Sequence, residues 1–163
     1  MAETCYCIDA SSILKLKQDF RRVVFATVWH KTEELIKNQR LFSPVEVLRE
    51  IENDRDLAPW LKKQAHMFRR LDSEQWGIAM RVTKQFPDLA KPGKLAPAAD
   101  PFVIALAIHH NEPPAHTLYE AAEECIVITE ERGGPQQIPA ACAHFQVKCV
   151  DLVGMFELEE WEF

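Results

Sequence analysis

The chain has 163 residues, of which 47% are hydrophobic and 27% are charged. That length suits one domain with a buried core and is short for two, so we expect a single domain over residues 1–163. A formal net charge of −6 excludes a surface that is basic throughout. It leaves room for a nucleic-acid enzyme, because catalytic acids make the sum negative while local basic patches bind the substrate.

Localisation and redox state follow from the same overview. No apolar run approaches the roughly 20 residues that a membrane span needs, and the N-terminus MAETCYCID lacks the basic and apolar regions of a signal peptide. We therefore expect a cytoplasmic protein without a membrane partner. The five cysteines form no CxxC pair and no zinc spacing, so we expect reduced thiols that pack as small apolar side chains.

The first third of the chain predicts a strand, two helices, a second strand and a third helix. TCYCID is typical of a short buried strand, and SSILKLKQ starts a helix that Ser11 or Ser12 can cap. Apolar residues recur at three- and four-residue steps from Arg21 to Gln39, which indicates a helical face. RLFSP is extended up to Pro44, which then suits the first turn of the helix VEVLREIEN.

The remaining elements alternate in the same way. PWLKKQAHMF and EQWGIAMRVTKQF predict helices, and the proline-rich PDLAKPGKLAPAADP predicts a loop. The rest of the chain predicts, in order, an apolar helix PFVIALAIHHN, a short helix LYEAAEE, a strand CIVIT, a loop ERGGPQQ, a helix IPAACAHF, a strand VKCVD and a last helix LVGMFELEEW. The final FELEEWEF is expected to pack on the protein's own core, and docking on a partner is the alternative.

This alternation predicts the fold class. Short, wholly apolar strands separated by helices indicate a parallel sheet covered on both faces, which is an α/β/α sandwich. Right-handed crossovers place the carboxyl end of every parallel strand at the same edge, and ligands bind along that edge.

Several carboxylates fall where strands end or helices begin. Asp9 ends the first strand, Asp100 begins the helix at ADPFVIALA, and Glu130 and Glu131 follow CIVIT. In the helix after RLFSP, spacing of about 100° per residue puts Glu50 at the margin of the apolar stripe. The same spacing turns Glu46 toward the opposite side, where a side chain usually meets water.

A cluster of four acids would need a cation. Two unit charges about 4 Å apart repel by about 4 kcal/mol at an effective dielectric constant near 20. Either some of the acids are protonated or a divalent ion lies among them. Hard oxygen ligands favour Mg²⁺ or Mn²⁺ over zinc, and such an ion suits phosphodiester hydrolysis.

Each acid also has a simpler interpretation. Asp100 followed by Pro101 has the sequence of a helix N-cap, and Asp9 before two serines is open to the same interpretation. Glu50 alone is typical of a solvated helix residue. The ordered set of four favours a shared site, but spacing alone leaves both interpretations open.

The segments CIDASS, SPVEVLREI, ADPFVIALA and IVITEE, in that order, resemble a PIN-domain protein over nearly the whole chain. The ending HFQVKCVDLVGMF resembles the last strand and helix of the same fold. The resemblance implies a three-layer α/β/α sandwich with a mostly parallel central sheet, and a metal-dependent endoribonuclease that uses Mg²⁺ or Mn²⁺. Many relatives are toxins of toxin–antitoxin pairs, which would make RNA the substrate, an antitoxin a partner and a homodimer an expected assembly.

The resemblance assigns roles by position. Asp9 and Asp100 would bind metal directly, Glu50 would ligate the ion or position the attacking water, and Glu131 would complete the set of ligands. Ser11 and Thr129 match hydroxyl groups that orient those acids.

One departure and one guess accompany these roles. The family usually has aspartate where this chain has Glu131. This difference favours an alternative function, a weakly active or inactive PIN-shaped RNA- or protein-binding module. Glu130 is the alternative acid at this position. For contacts to RNA we expect Lys15, Lys17 and Arg132. The other basic runs, including KPGK, are expected to be solvated.

Overall fold

The structure is a computed structural model that describes residues 3–91, 98–112 and 124–163. Its strands are β1 (Cys5–Ile8), β2 (Leu41–Pro44), β3 (Phe68–Arg69), β4 (Cys125–Ile128) and β5 (Cys149–Val150). Its α-helices are α1 (Ala10–Asp19), α2 (Ala26–Lys37), α3 (Val45–Ile51), α4 (Ala58–Lys63), α5 (Ser73–Gln85), α6 (Asp100–Asn111), α7 (Ile138–His144) and α8 (Leu152–Leu158). Two 3-10 helices span Ala65–Met67 and Pro87–Ala90.

The five strands form a single parallel sheet in the order β3-β2-β1-β4-β5. In the register of its centre, Cys7 of β1 lies opposite Phe42 on one side and Val127 on the other. Helices flank this sheet, so the predicted α/β class with a parallel central sheet is confirmed. The strand order reverses between β1 and β4, and in open parallel sheets a crevice forms at the carboxyl ends on either side of such a switch point.

The sheet and helix α6 form the centre of the hydrophobic core. Every residue of β1 and β4 is buried, as are all residues of α6 from Asp100 to Ala107. Helix α6 contacts β1, β2, β4, α5 and α7. A helix that is apolar on all sides is expected to be enclosed in this way, and the enclosure fixes the position of Asp100 at its start.

Some predicted elements have different bounds in the structure. Helix α2 starts at Ala26 rather than near Arg21, and Val23 and Val24 lie exposed in the preceding turn. PWLKKQAHMF, which the sequence predicts to be helical throughout, contains the end of α4 and the 3-10 helix Ala65–Met67, and its last residue, Phe68, begins strand β3. The predicted helix LYEAAEE lies, apart from Glu124, outside the described residues.

The cysteines and the C-terminal segment agree with the sequence predictions. All five cysteines are free thiols, and all but Cys149 are buried. In FELEEWEF, Phe156 is buried and stacks on Trp161 with ring centroids 5.2 Å apart, so the segment packs on the protein's own core. No helix of the described residues has the length and apolarity needed to cross a membrane.

Candidate functional site

Asp9 follows β1 directly and lies buried at the carboxyl edge of the sheet. Its Oδ1 accepts hydrogen bonds from the Ser12 backbone N–H at 2.9 Å and from Ser11 Oγ at 2.8 Å. Its Oδ2 accepts from Thr129 Oγ1 across the β1–β4 boundary. The cap of α1 is therefore Asp9, and the prediction that Ser11 or Ser12 caps it is wrong. A charged aspartate carboxylate accepts a hydrogen bond from a backbone N–H more strongly than a neutral serine hydroxyl does.

The surroundings of Asp9 act on its charge in opposite directions. Burial raises the pKa of its carboxyl group above the usual range, and the hydrogen bonds from Thr129, Ser12 and Ser11 oppose that rise. Three donors therefore hold a carboxylate that water barely reaches. Capping α1 and presenting a carboxylate at the sheet edge are compatible roles for this side chain.

Asp100 is the first residue of α6, and it does not cap the helix. The N-cap position belongs to Ala99, and no side-chain hydrogen bond is made there. The capping interpretation of Asp100 is therefore wrong. The buried Asp100 carboxyl group has its pKa raised to about 7, first by loss of solvent and then by the negative charges of Glu131, Asp9 and Glu50.

The acids near Asp100 lie at the carboxyl edge of the sheet. Asp100 and Glu131 line the same cleft. Glu50 is exposed on α3 but accepts a hydrogen bond from the Ala99 N–H next to Asp100, and Asp9 follows the neighbouring strand β1. We refer to Asp9, Glu50, Asp100 and Glu131 as the acidic cluster. These four acids, which are far apart along the chain, thus lie along one edge of the sheet.

Glu50 reaches the start of α6 from α3. Its Oε1 accepts a hydrogen bond of 2.9 Å from the Ala99 backbone N–H, next to Asp100. Glu46 lies one turn earlier and is only 4% exposed, so the prediction that it faces water is wrong. Helix α3 starts directly after the buried strand β2, and its first turn is consequently enclosed at the sheet edge. Among the described residues, no group hydrogen-bonds Glu46 Oε2.

Glu130 and Glu131 point to different places. Glu131 Oε2 accepts a bond of 3.1 Å from the Ile138 N–H at the start of α7, and its charge acts on Asp100. Glu130 Oε1 instead accepts a bond of 2.9 Å from the Leu152 N–H at the start of α8. Of the two acids, the geometry therefore favours Glu131 as the member of the acidic cluster.

Lys91 is a site residue that the sequence did not single out. Its Nζ lies 3.5 Å from Asp100 Oδ2, and the charges of Asp100, Glu50 and Glu131 raise the pKa of its ammonium group despite partial burial. The expectation that KPGK is merely solvated is wrong for this lysine. The sequence offers little indication of this role, because a lysine at the edge of a proline-rich loop is usually a surface residue.

A cleft of about 380 Å³ opens beside the acidic cluster. Its walls come from the 3-10 helix Pro87–Ala90, the start of α6 and the loop before α7. The lining residues are Asp88, Leu89, Lys91, Asp100, Glu131, Gly134, Pro135, Gln136 and Gln137. Gln136 Oε1 is enclosed there with no hydrogen-bond partner among the described residues. The cleft therefore offers acidic, basic and amide groups to a ligand.

The three basic residues expected to contact RNA have different surroundings. Lys15 pairs with Asp19 at 2.6 Å, and Lys17 pairs with Asp54. Arg132 is exposed beside a smaller depression at the end of β4. Arg132 and Lys15 lie close enough for their charges to interact, whereas Lys17 is directed toward the turn after α3.

The oxygen atoms of the acidic cluster do not converge in this structure. In the described residues, no group of three or more His, Cys, Asp or Glu side chains is arranged to hold a metal ion. The hydrogen bonds explain this arrangement, because Asp9, Glu50 and Glu131 each face backbone N–H or hydroxyl donors. In donor chemistry the cluster nonetheless fits a hard divalent cation.

Comparison with known proteins adds a family but no activity. No curated protein matches the chain. A family model described as a domain of unknown function, DUF4411, matches residues 6–163, which is nearly the whole sequence. The chain therefore belongs to the DUF4411 family.

Proposed function

We propose that this protein is a PIN-like, metal-dependent endoribonuclease that hydrolyses RNA phosphodiester bonds at the acidic cluster. The observation that supports the proposal is the buried Asp100 carboxylate, which lines a cleft together with Glu131 and lies 3.5 Å from the Lys91 ammonium group. Burial and the charges of Glu131, Asp9 and Glu50 raise the pKa of Asp100 to about 7. Such a carboxyl group in a cleft marks a candidate functional site, because strongly perturbed carboxyl groups concentrate at sites with chemical roles.

The acidic cluster suits Mg²⁺ or Mn²⁺ as its cofactor. Asp9 and Asp100 would bind the ion directly, Glu131 would complete the set of carboxylates, and Glu50 would ligate or orient the attacking water. A bound divalent ion supplies stabilisation of the charge that grows on the phosphate and the leaving oxygen. Ser11 and Thr129 would hold Asp9 in place through the hydrogen bonds they donate.

The choice of RNA as substrate depends on the resemblance of CIDASS, SPVEVLREI, ADPFVIALA and IVITEE to PIN proteins. The exposed Arg132 and the partly exposed Lys15 lie beside the end of β4 and would contact phosphates there. A toxin role, an antitoxin partner and a homodimer stay predictions from the same resemblance.

Replacement of single acids tests this proposal. Asp9→Asn and Asp100→Asn should each lower the cleavage rate of structured RNA in Mn²⁺ or Mg²⁺ by at least about 100-fold, because each removes a charge that the ion needs. Asp9→Asn retains an oxygen that can cap α1, so its stability should fall by only about 1 kcal/mol. Glu130→Gln is the matched control, since Glu130 faces α8, and it should cleave like the wild type.

Unchanged cleavage in both aspartate variants would reject the proposed roles. A second candidate, an RNA-binding module with little activity, is favoured by one contact: Glu131 is committed to the Ile138 N–H. Wild-type protein that binds RNA in a filter assay but leaves it intact in saturating Mn²⁺ would establish this second function instead.

A further inference from the structure

Lys91 has an unusual backbone for its position. It ends the 3-10 helix Pro87–Ala90 with φ of 47°, in the left-handed region, and its N–H donates to the Asp88 carbonyl at 3.1 Å. This conformation is disfavoured for a residue with a β-carbon. Disfavoured backbone at the wall of a cleft is a reason to ask what the side chain does there.

The side chain of Lys91 is directed at the acidic cluster. Its ammonium nitrogen is 3.5 Å from Asp100 Oδ2, and Asp100 is nearly enclosed while Lys91 is 41% exposed. Besides Asp100, the charges of Glu50 and Glu131 act on Lys91. One positive charge therefore contacts Asp100 and interacts electrostatically with two more of the four carboxylates.

The ammonium group of Lys91 lies at the wall of an open cleft. Lys91 lines it together with Asp88, Asp100 and Glu131, and its side chain reaches solvent on that side. The lysine side chain has a flexible four-carbon stem, so its ammonium group can move from Asp100 into water while the surrounding structure stays folded.

We propose that Lys91 is a built-in counter-cation of the acidic cluster, which occupies it when no metal ion is bound and which a divalent cation displaces. The inference rests on the proposed metal site and adds a residue that sets its affinity. An ammonium group and a divalent ion repel each other at short range, so an ion bound at Asp100 disfavours the lysine there.

Two consequences follow from this competition. Lys91 compensates the repulsion among the acids in the metal-free protein, and its removal should destabilise that state. It also lowers the apparent affinity for metal, because the acidic cluster must first be vacated. Loss of the lysine therefore should weaken the metal-free protein and strengthen metal binding at the same time.

Calorimetric titration with Mn²⁺ and thermal melts of the full chain test the proposal with Lys91→Met, which keeps an unbranched apolar stem. We expect Lys91→Met to bind Mn²⁺ at least about tenfold more tightly than the wild type. Its metal-free form should melt at a lower temperature, and saturating Mn²⁺ should close that gap. Lys91→Arg retains the positive charge and should stay within about threefold of wild-type affinity.

Lys62→Met is the control for loss of one positive charge, since Lys62 is exposed on α4 and is not among the charges that act most on Asp100. It should match the wild type in both measurements. Equal or weaker Mn²⁺ binding by Lys91→Met would overturn the proposal, and so would the absence of Mn²⁺ binding in every variant.

The same titrations separate this inference from the proposed nuclease. Tighter binding by Lys91→Met without RNA cleavage by the wild type would support the counter-cation and reject the nuclease. Cleavage that needs Asp9 and Asp100, with equal Mn²⁺ binding by wild type and Lys91→Met, would retain the nuclease and reject the counter-cation.

Discussion

Asp100 occupies the first turn of α6, where the helix dipole favours a negative charge, yet its pKa is raised to about 7. Burial and the neighbouring Glu131 dominate this balance, and Lys91 only partly offsets them. In the metal-free protein Asp100 is therefore protonated in a large share of molecules at neutral pH. A helix-capping role would keep Asp100 ionised, whereas its surroundings bring its pKa close to neutral pH.

This pKa predicts how stability changes with pH. The unfolded chain releases the Asp100 proton near pH 4 and the folded chain near pH 7. Between these values the folded state binds more protons, so the free energy of unfolding falls as pH rises, by on the order of 4 kcal/mol from this group alone. Asp100→Asn lacks the titration and should gain stability relative to the wild type between pH 5 and pH 8.

Urea unfolding of both proteins at pH 5 and pH 8 without divalent ions measures this difference. Subtracting one protein from the other cancels the common titrations, such as those of Asp54 and Glu33, whose pKa values are lowered. A stability difference between Asp100→Asn and the wild type that stays constant across this range would contradict the assigned pKa.

Some residues of the site can be predicted from the sequence, and others cannot, for physical reasons. Asp9 and Asp100 were accessible because strand ends and helix starts can be read from hydrophobic patterns. The burial of Glu46 could not be predicted, because helical spacing shows only which side of α3 faces the core. It does not show that the first turn of α3 is also enclosed at the sheet edge. Lys91 was missed because its approach to Asp100 depends on tertiary structure alone.

At the scale of elements, α8 and the segment after it are tied to the opposite end of the sheet from the acidic cluster. Glu159 accepts hydrogen bonds from Tyr6 Oη at 2.6 Å and from both terminal nitrogens of Arg40, and its side chain is mostly buried. Arg40 lies just before β2 and Tyr6 within β1. This carboxylate therefore fastens the C-terminal segment to two adjacent strands.

Removal of that charge should destabilise the fold. Glu159→Gln removes the mostly buried carboxylate partner of Arg40 and leaves it, among the described residues, only the exposed Glu3 at 3.8 Å as an ion-pair partner, which should cost about 2–4 kcal/mol of unfolding free energy. Glu157→Gln is the control, because Glu157 is exposed on the same helix and should change stability by less than about 0.5 kcal/mol. Chemical denaturation measures both variants, and equal stabilities would show that the Arg40–Glu159 pair contributes nothing.

The elements differ in how well the sequence predicts them. Helix α6 was predictable because an apolar run from Pro101 to Ile108 follows the helix-start pair Asp100-Pro101 and is longer than a typical strand. Strand β3 was not, since its two residues are extended through pairing with Ser43 and Pro44 of β2 rather than through local preference. Propensity yields to tertiary pairing most easily in such short edge strands.

At the scale of the whole molecule, the net charge of −6 opposes the binding of the anionic substrate that we propose. The acidic cluster contributes part of that charge at one edge of the sheet, and a bound divalent ion would locally reverse its effect on phosphates. Several surface lysines are already paired with acids, including Lys15 and Lys17. RNA affinity should therefore depend more on the ion than on a basic surface.

The central claim is that Asp9, Glu50, Asp100 and Glu131 together hold one divalent ion at the carboxyl edge of the sheet. Anomalous diffraction from crystals soaked in Mn²⁺ tests it most directly. We predict a manganese peak between the Asp9 and Asp100 carboxylates, within about 2.0–2.6 Å of at least one oxygen of each, with Lys91 turned toward solvent. A fully soaked crystal that shows no peak there, or shows manganese bound elsewhere, would contradict the claim.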